Sequence, residues 1–133
     1  MKQTTTRQEF RVEGLSEPIS HYTDAVRWEN LLFISGLLGV DADGNLVGGD
    51  DVAAQTRQIL ENMKRVLTAA GAGFGDVLRV TVYLTDVTDR TRINPVRKEY
   101  FGSSRPASTL IQVAALAAPG AKVEIEAVVG LPA

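Results

Sequence analysis

Residues 31–38 read LLFISGLL, a strand-length run that is apolar at nearly every position. A strand of alternating pattern needs cover on one face, whereas a run apolar throughout must be buried on both. Whatever this chain folds into therefore has to bring material to two sides of Leu31–Leu38. Only two segments can supply helices. From about Asp51 to Ala70, the residues Val52, Thr56, Ile59, Leu60, Met63, Val66, Leu67 and Ala70 recur at helical spacing and form one apolar stripe. Asp50 is placed to cap the start of that helix and Gly71 to end it, with Glu61 and Arg65 paired at i, i+4. A shorter helix is predicted with Asn94 as N-cap and Pro95 at its first position, running through Phe101 and burying Val96, Tyr100 and Phe101.

The remaining apolar segments read as strands. Phe10–Val12 and about Tyr22–Trp28 precede Leu31–Leu38, and Asp43–Gly44 supplies a turn after it. From Val77 to Leu84 the set Leu78, Val80, Val82 and Leu84 alternates with Arg79, Thr81 and Tyr83. Thr109–Ala114 is entered after Pro106, and near the end Val123, Ile125, Ala127 and Val129 alternate with Lys122, Glu124 and Glu126. This order predicts one α+β domain over residues 1–133, with two helices on one face of a sheet. The second face then lacks cover, although Leu31–Leu38 and much of Leu110–Leu116 require it. Another copy of the same chain is the simplest cover, so a homo-oligomer is expected. On that second face the alternation places Glu124, a carboxylate at or near a subunit interface, which is either paired there or functional.

Charge and composition narrow the partners. Fourteen basic and 16 acidic residues are scattered along the chain, for a net charge of −2. Nucleic-acid binding draws on a basic stripe, and Arg90–Arg92 and Arg97–Lys98 are short and flanked by acids, so no nucleic-acid partner is expected. One histidine and no cysteine argue against a metal site built by the protein. Met1–Phe10 is polar, unlike a signal peptide, and no run approaches the ~20 apolar residues that span a bilayer. No membrane partner and a cytoplasmic location are expected.

Several segments together resemble one family. AQTRQILENMKRVLTAAGAGFGDVLRVTVYLTDV (Ala54–Val87) is similar to the central helix–strand unit of the RidA/YjgF reactive-intermediate deaminases. NLLFISG (Asn30–Gly36) is similar to their glycine-ended strand, INPVRKEYF (Ile93–Phe101) to their second helix, and PAST…VAAL…AKVEIEAV to their two closing strands. The resemblance implies a chorismate-mutase-like fold: a mixed sheet with two helices on one face, assembled as a homotrimer around a central barrel. It also implies small-molecule clefts between neighbouring chains and cofactor-free hydrolysis of reactive imines and enamines to keto acids and ammonia. In that chemistry a glutamate positions and activates water, and an arginine holds the substrate carboxylate.

By resemblance the glutamate is Glu124, the pocket tyrosine Tyr22, the serine–glycine pair Ser35 and Gly36, and the helix asparagine Asn94. The arginine has no counterpart. Where the family reads proline-alanine-arginine-serine, this chain reads Pro106-Ala107-Ser108-Thr109, which puts Ser108 in the arginine's place. Ser20-His21 likewise replaces the glycine-proline before the tyrosine, leaving His21 as either a solvated loop residue or an acid–base group beside Tyr22. Ser108 and Thr109 are either plain strand residues or hydrogen-bond donors to a ligand. Asn94 is read first as a helix cap and second as a ligand contact. Arg105 lies three residues before Ser108, an odd offset that in extended chain turns it to the opposite face, so it serves as a substitute only if a bulge intervenes.

A bidentate arginine–carboxylate contact comprises charge-assisted hydrogen bonds worth ~1.5–3 kcal/mol each, and its loss costs a 2-imino acid about 10²-fold. The expected enzyme is therefore a hydrolase or deaminase of an imine, enamine or related intermediate other than simple 2-imino acids. The alternative is a trimer that binds a small ligand in the same cleft without chemistry.

Overall fold

The computed structural model describes residues 6–133; the first five residues of the polar stretch Met1–Phe10 lie outside the described residues. Among the described residues six strands and two α-helices follow in the order β1 (Arg7–Phe10), β2 (Ala25–Trp28), β3 (Leu31–Leu38), α1 (Val52–Ala69), β4 (Val77–Leu84), α2 (Arg90–Phe101), β5 (Ala107–Gln112) and β6 (Val123–Gly130). They form one mixed sheet of order β1-β2-β3-β6-β4-β5, in which only β4 and β5 are parallel hydrogen-bonded neighbours. Strands β3 and β4 both run antiparallel to β6 between them, so α1 and α2 each cross between parallel strands, stepping the same way across the sheet. Right-handed crossovers made in one direction put both helices on one face. There Ile59, Leu60, Met63, Val66 and Leu67 of α1 and Ile93, Val96 and Phe101 of α2 meet Leu32, Ile34, Val80, Val82, Leu84, Val123 and Ile125 in one core.

Among the described residues no helix lies on the other face, as the count of helices predicts. Phe33 of β3 and Ile111 of β5 stand out from it, 46% and 41% exposed. Among the described residues no helix is long and apolar enough to cross a membrane.

Four local expectations are corrected. Asp51, not Asp50, caps α1, its carboxylate accepting from the amides of Ala53 and Ala54. Glu61 accepts from the Tyr100 hydroxyl at 2.6 Å rather than pairing with Arg65, so Tyr100 stays half-buried and Ile93 takes the core position. Asn94 is not a cap: a 3-10 turn at Val87–Asp89 leads directly into α2, which starts at Arg90 and carries Pro95 inside it. Leu78 is half exposed, because an irregularity in the β4–β6 pairing between Val77 and Arg79 shifts the alternation and buries Val77 instead.

One buried polar side chain ties the helices to the strand that bears Glu124. Gln55 is fully buried on α1; its amide donates to the carbonyls of Gly49 (2.8 Å) and Gly120 (3.2 Å) and accepts from the Lys122 amide (2.8 Å). Gln55→Ala strands all three groups and leaves a cavity, so it is expected to lower unfolding free energy by roughly 2–4 kcal/mol. Urea denaturation measures this, and a loss within error of zero would refute the anchoring role.

Candidate functional site

The glutamate cleft is built around a break in the β3–β6 ladder. Pairing shifts register between Ile34 and Leu37, which lifts Ser35 and Gly36 out of the regular pattern. Ser35 uses its freed side chain to tie in the neighbouring segment. Its hydroxyl donates to the Thr23 carbonyl at 2.6 Å and its amide to the Asp24 carbonyl at 3.0 Å. Asp24, itself buried, accepts from the Val12 amide and from Arg11. These bonds hold Tyr22 beside the break. Tyr22 is 46% exposed, and its hydroxyl accepts a long hydrogen bond from the Ile19 amide at 3.4 Å, which leaves its own proton available to a ligand.

Gly36 matters for space. A Cβ at this position would lie 2.2 Å from Glu124 Oε2 and 2.8 Å from its carboxyl carbon. The carboxylate thus rests against bare backbone. Ser35, Gly36, Tyr22 and Glu124 line one cleft of about 340 Å³, with Ile19, Ser20, Leu38 and Ala117 completing it. His21 is exposed and lies outside that lining. Gly36→Ala has to displace the carboxylate, and a loss of about tenfold or more in turnover is expected with the fold retained. Wild-type turnover in Gly36→Ala would show that the placement of the carboxylate does not matter.

Alternation along β6 sends Glu124 and Glu126 to the face away from the helices, where Tyr83 of β4 pairs in register with Glu124. The Tyr83 hydroxyl, however, donates to Glu126 Oε1 at 2.7 Å. Among the described residues no side chain donates to Glu124. Burial, and secondarily the nearby Glu126 charge, push its carboxyl above the usual carboxylate range. A half-buried carboxylate with no donor and a raised proton affinity is equipped to take a proton from water.

A second cavity, about 400 Å³, opens between α2 and the start of β5, and shares no lining residue with the first. Asn94 and Arg97, one helical turn apart, both line it, as does Arg105 from the loop before β5. Since β5 begins only at Ala107, the extended-strand offset does not govern Arg105, which is exposed at the cavity's rim. Ser108 pairs in register with buried Val80, so its side chain points to the helix side. There its hydroxyl accepts from Arg97 Nη2 at 3.0 Å. Thr109 pairs with Thr81 on the opposite face and accepts from Arg79 at 2.7 Å, so Ser108 and Thr109 do not serve one ligand together.

Arg97 is the residue that sequence reasoning missed. Its signal was the i, i+3 spacing from Asn94, which puts both on one face of α2 once the helix starts before Asn94. The guanidinium is half-buried, has no carboxylate within ion-pair distance among the described residues, and is pulled below its ordinary pKa by that burial. An arginine remains a cation under such conditions.

Known proteins share both sequence and fold with this chain. The family model described as Endoribonuclease L-PSP matches residues 14–130. A 2-iminobutanoate/2-iminopropanoate deaminase of Bos taurus is 46% identical over 83% of this chain and 80% of its own. The 3-aminoacrylate deaminase RutC of Acinetobacter baylyi is 39% identical over 87% of this chain and 91% of its own. The crystal structure of RidA from the Antarctic bacterium Psychrobacter sp. PAMC 21119 superposes with a TM-score of 0.87 at 34% identity, covering 93% of this chain and 99% of that one. With the two-helix mixed sheet, the glycine-seated glutamate and these relatives in view, the chain belongs to the Endoribonuclease L-PSP family, that of the RidA/YjgF proteins.

Proposed function

We propose that this chain, a single domain over residues 1–133, is a cofactor-free deaminase that hydrolyses a reactive imine or enamine, with Glu124 as general base. The observation that carries this reading is the Glu124 carboxylate, seated on Gly36 without a donor and with its proton affinity raised. Deaminases of imino acids and of 3-aminoacrylate among its relatives support the reaction class. Water held by Glu124 adds to the C=N carbon as its proton passes to the carboxylate. The carboxylic acid gives that proton to the nitrogen. The carboxylate then moves the new hydroxyl group's proton to the same nitrogen, and ammonia leaves as the C=O bond forms. An enamine first becomes its imine by protonation at carbon. Tyr22 and Ser35 border the space where the tetrahedral intermediate forms.

The reading includes a homotrimer. The uncovered sheet face with exposed Phe33 and Ile111 supports an assembly that packs these faces together around a barrel. The Glu124 cleft of one subunit would then abut the Asn94–Arg97 cavity of the next, with the small-molecule ligand between them. Light scattering of the purified protein should give three times 14.3 kDa, and a stable monomer would exclude a shared cleft. A cysteine-free chain suits a reducing, cytoplasmic setting.

Substrate preference follows from Ser108. Without a guanidinium rooted on β5, simple 2-imino acids lose the placement that arginine-bearing relatives give their carboxylate, so the preferred substrate differs from them. Ammonia release from 2-iminopropanoate generated in situ tests this: about 10²-fold slower turnover than by an arginine-bearing relative is expected. Equal rates would remove the substrate distinction and leave the reaction class standing.

A further inference from the structure

We propose that Arg97, rooted on α2 and resting on Ser108, is the carboxylate-binding residue of this protein, so that its substrates are acidic imines or enamines. Three observations carry it. The Arg97 guanidinium rests on the residue that takes the family arginine's place in the sequence, with Nη2 3.0 Å from Ser108 Oγ. It lines an open cavity of about 400 Å³ together with Asn94, a second group able to donate to an anion. It is half-buried yet has no carboxylate within ion-pair distance among the described residues, so its charge is available for an incoming anion rather than spent on an internal pair. Burial lowers the solvent screening that would otherwise weaken such a contact.

Ser108 holds the Arg97 side chain at one nitrogen and leaves the rest of the planar fork free for a carboxylate. Arg105 and Lys98 share the cavity but lie at its exposed rim, where a charge contributes less to affinity. The loss at position 108 is thus a change of root rather than a loss of charge. The guanidinium lies against the strand instead of extending from it by a full side-chain length. On this assignment a substrate carboxylate is held from a different root than in arginine-bearing relatives, in keeping with a different substrate preference. The inference rests on the proposed deaminase reading for its substrate class, but not for the anion site itself.

Binding separates the two. Calorimetry with 2-oxobutanoate, the carboxylate product of imine hydrolysis, and with its neutral amide 2-oxobutanamide is run on wild type, Arg97→Met and Arg97→Lys. Arg97→Met is expected to weaken 2-oxobutanoate at least about tenfold and leave the amide within about twofold, with Arg97→Lys between. Ser108→Arg alone places two guanidinium groups together and should not tighten binding, whereas Arg97→Met with Ser108→Arg should recover it. Equal binding of 2-oxobutanoate by wild type and Arg97→Met overturns the assignment. So does an equal loss for both probes, which marks a structural role, or a wild type that does not bind 2-oxobutanoate. Wild type that binds the keto acid through Arg97 but hydrolyses no imine keeps the anion site and sinks the deaminase reading alone.

Discussion

Glu124→Gln is expected to lower imine hydrolysis by about 10³-fold while the protein keeps its fold and assembly, because glutamine keeps the shape and removes the base. The same substitution separates chemistry from packing through pH. The base is the carboxylate, so wild-type kcat/KM should rise with pH through a pKa above the usual carboxylate range, reflecting burial and then Glu126. Stability moves the other way. The folded state holds the Glu124 proton more tightly than the unfolded chain, so its contribution is full below the unfolded pKa. That contribution is lost as pH rises through the folded one. Glu124→Gln should therefore melt higher than wild type at pH 8, with a smaller difference at pH 4. A variant that retains turnover would remove Glu124 from the mechanism. One that is inactive and also less stable at pH 8 would make it a structural group.

Mixing two impaired variants should restore activity. If one subunit supplies Glu124 and its neighbour Arg97, Glu124→Gln and Arg97→Met each spoil a different half of every cleft. When the two chains are unfolded together in equal amounts and reassembled, half of the clefts receive an intact Glu124. Half of those face an intact Arg97. Roughly a quarter of the wild-type rate on an acidic imine should return, from parents that each have far less. A site confined to one chain gives no recovery, since every chain in the mixture carries one of the two lesions. The separation of the two cavities within the chain is what makes this outcome specific.

The sequence was most readable where one local rule decided the outcome. The stripe from Val52 to Leu67 could only be a helix buried on one side, and α1 spans Val52–Ala69. The two-sided apolar run became β3 with the same ends, and the open sheet face follows from counting helices. Misreadings arose where tertiary context outweighed a local signal. Asn94-Pro95 carries the chemistry of a helix start, yet the turn at Val87–Asp89 nucleates α2 a full turn earlier and carries the helix through the proline. Leu78 fits an alternating strand, but one irregularity in pairing reverses its side.

Half of the candidate site was legible for the same reason. Glu124 follows from β6 alternation, and Gly36 from the resemblance. The close approach of Gly36 to the carboxylate, 2.2 Å from an added Cβ, is a long-range contact that no spacing encodes. Arg97 stayed hidden because it belongs to α2 while the position it fills belongs to β5, and the shift of the helix start altered which residues share a face.

The most direct test is ammonia release from acidic imines generated in situ, with 2-iminopropanoate and 3-aminoacrylate assayed side by side on wild type and Glu124→Gln. Wild type is expected to accelerate hydrolysis well above the Glu124→Gln rate, and to favour the acid other than the 2-imino one. Wild type no faster than Glu124→Gln on either substrate would contradict the deaminase assignment.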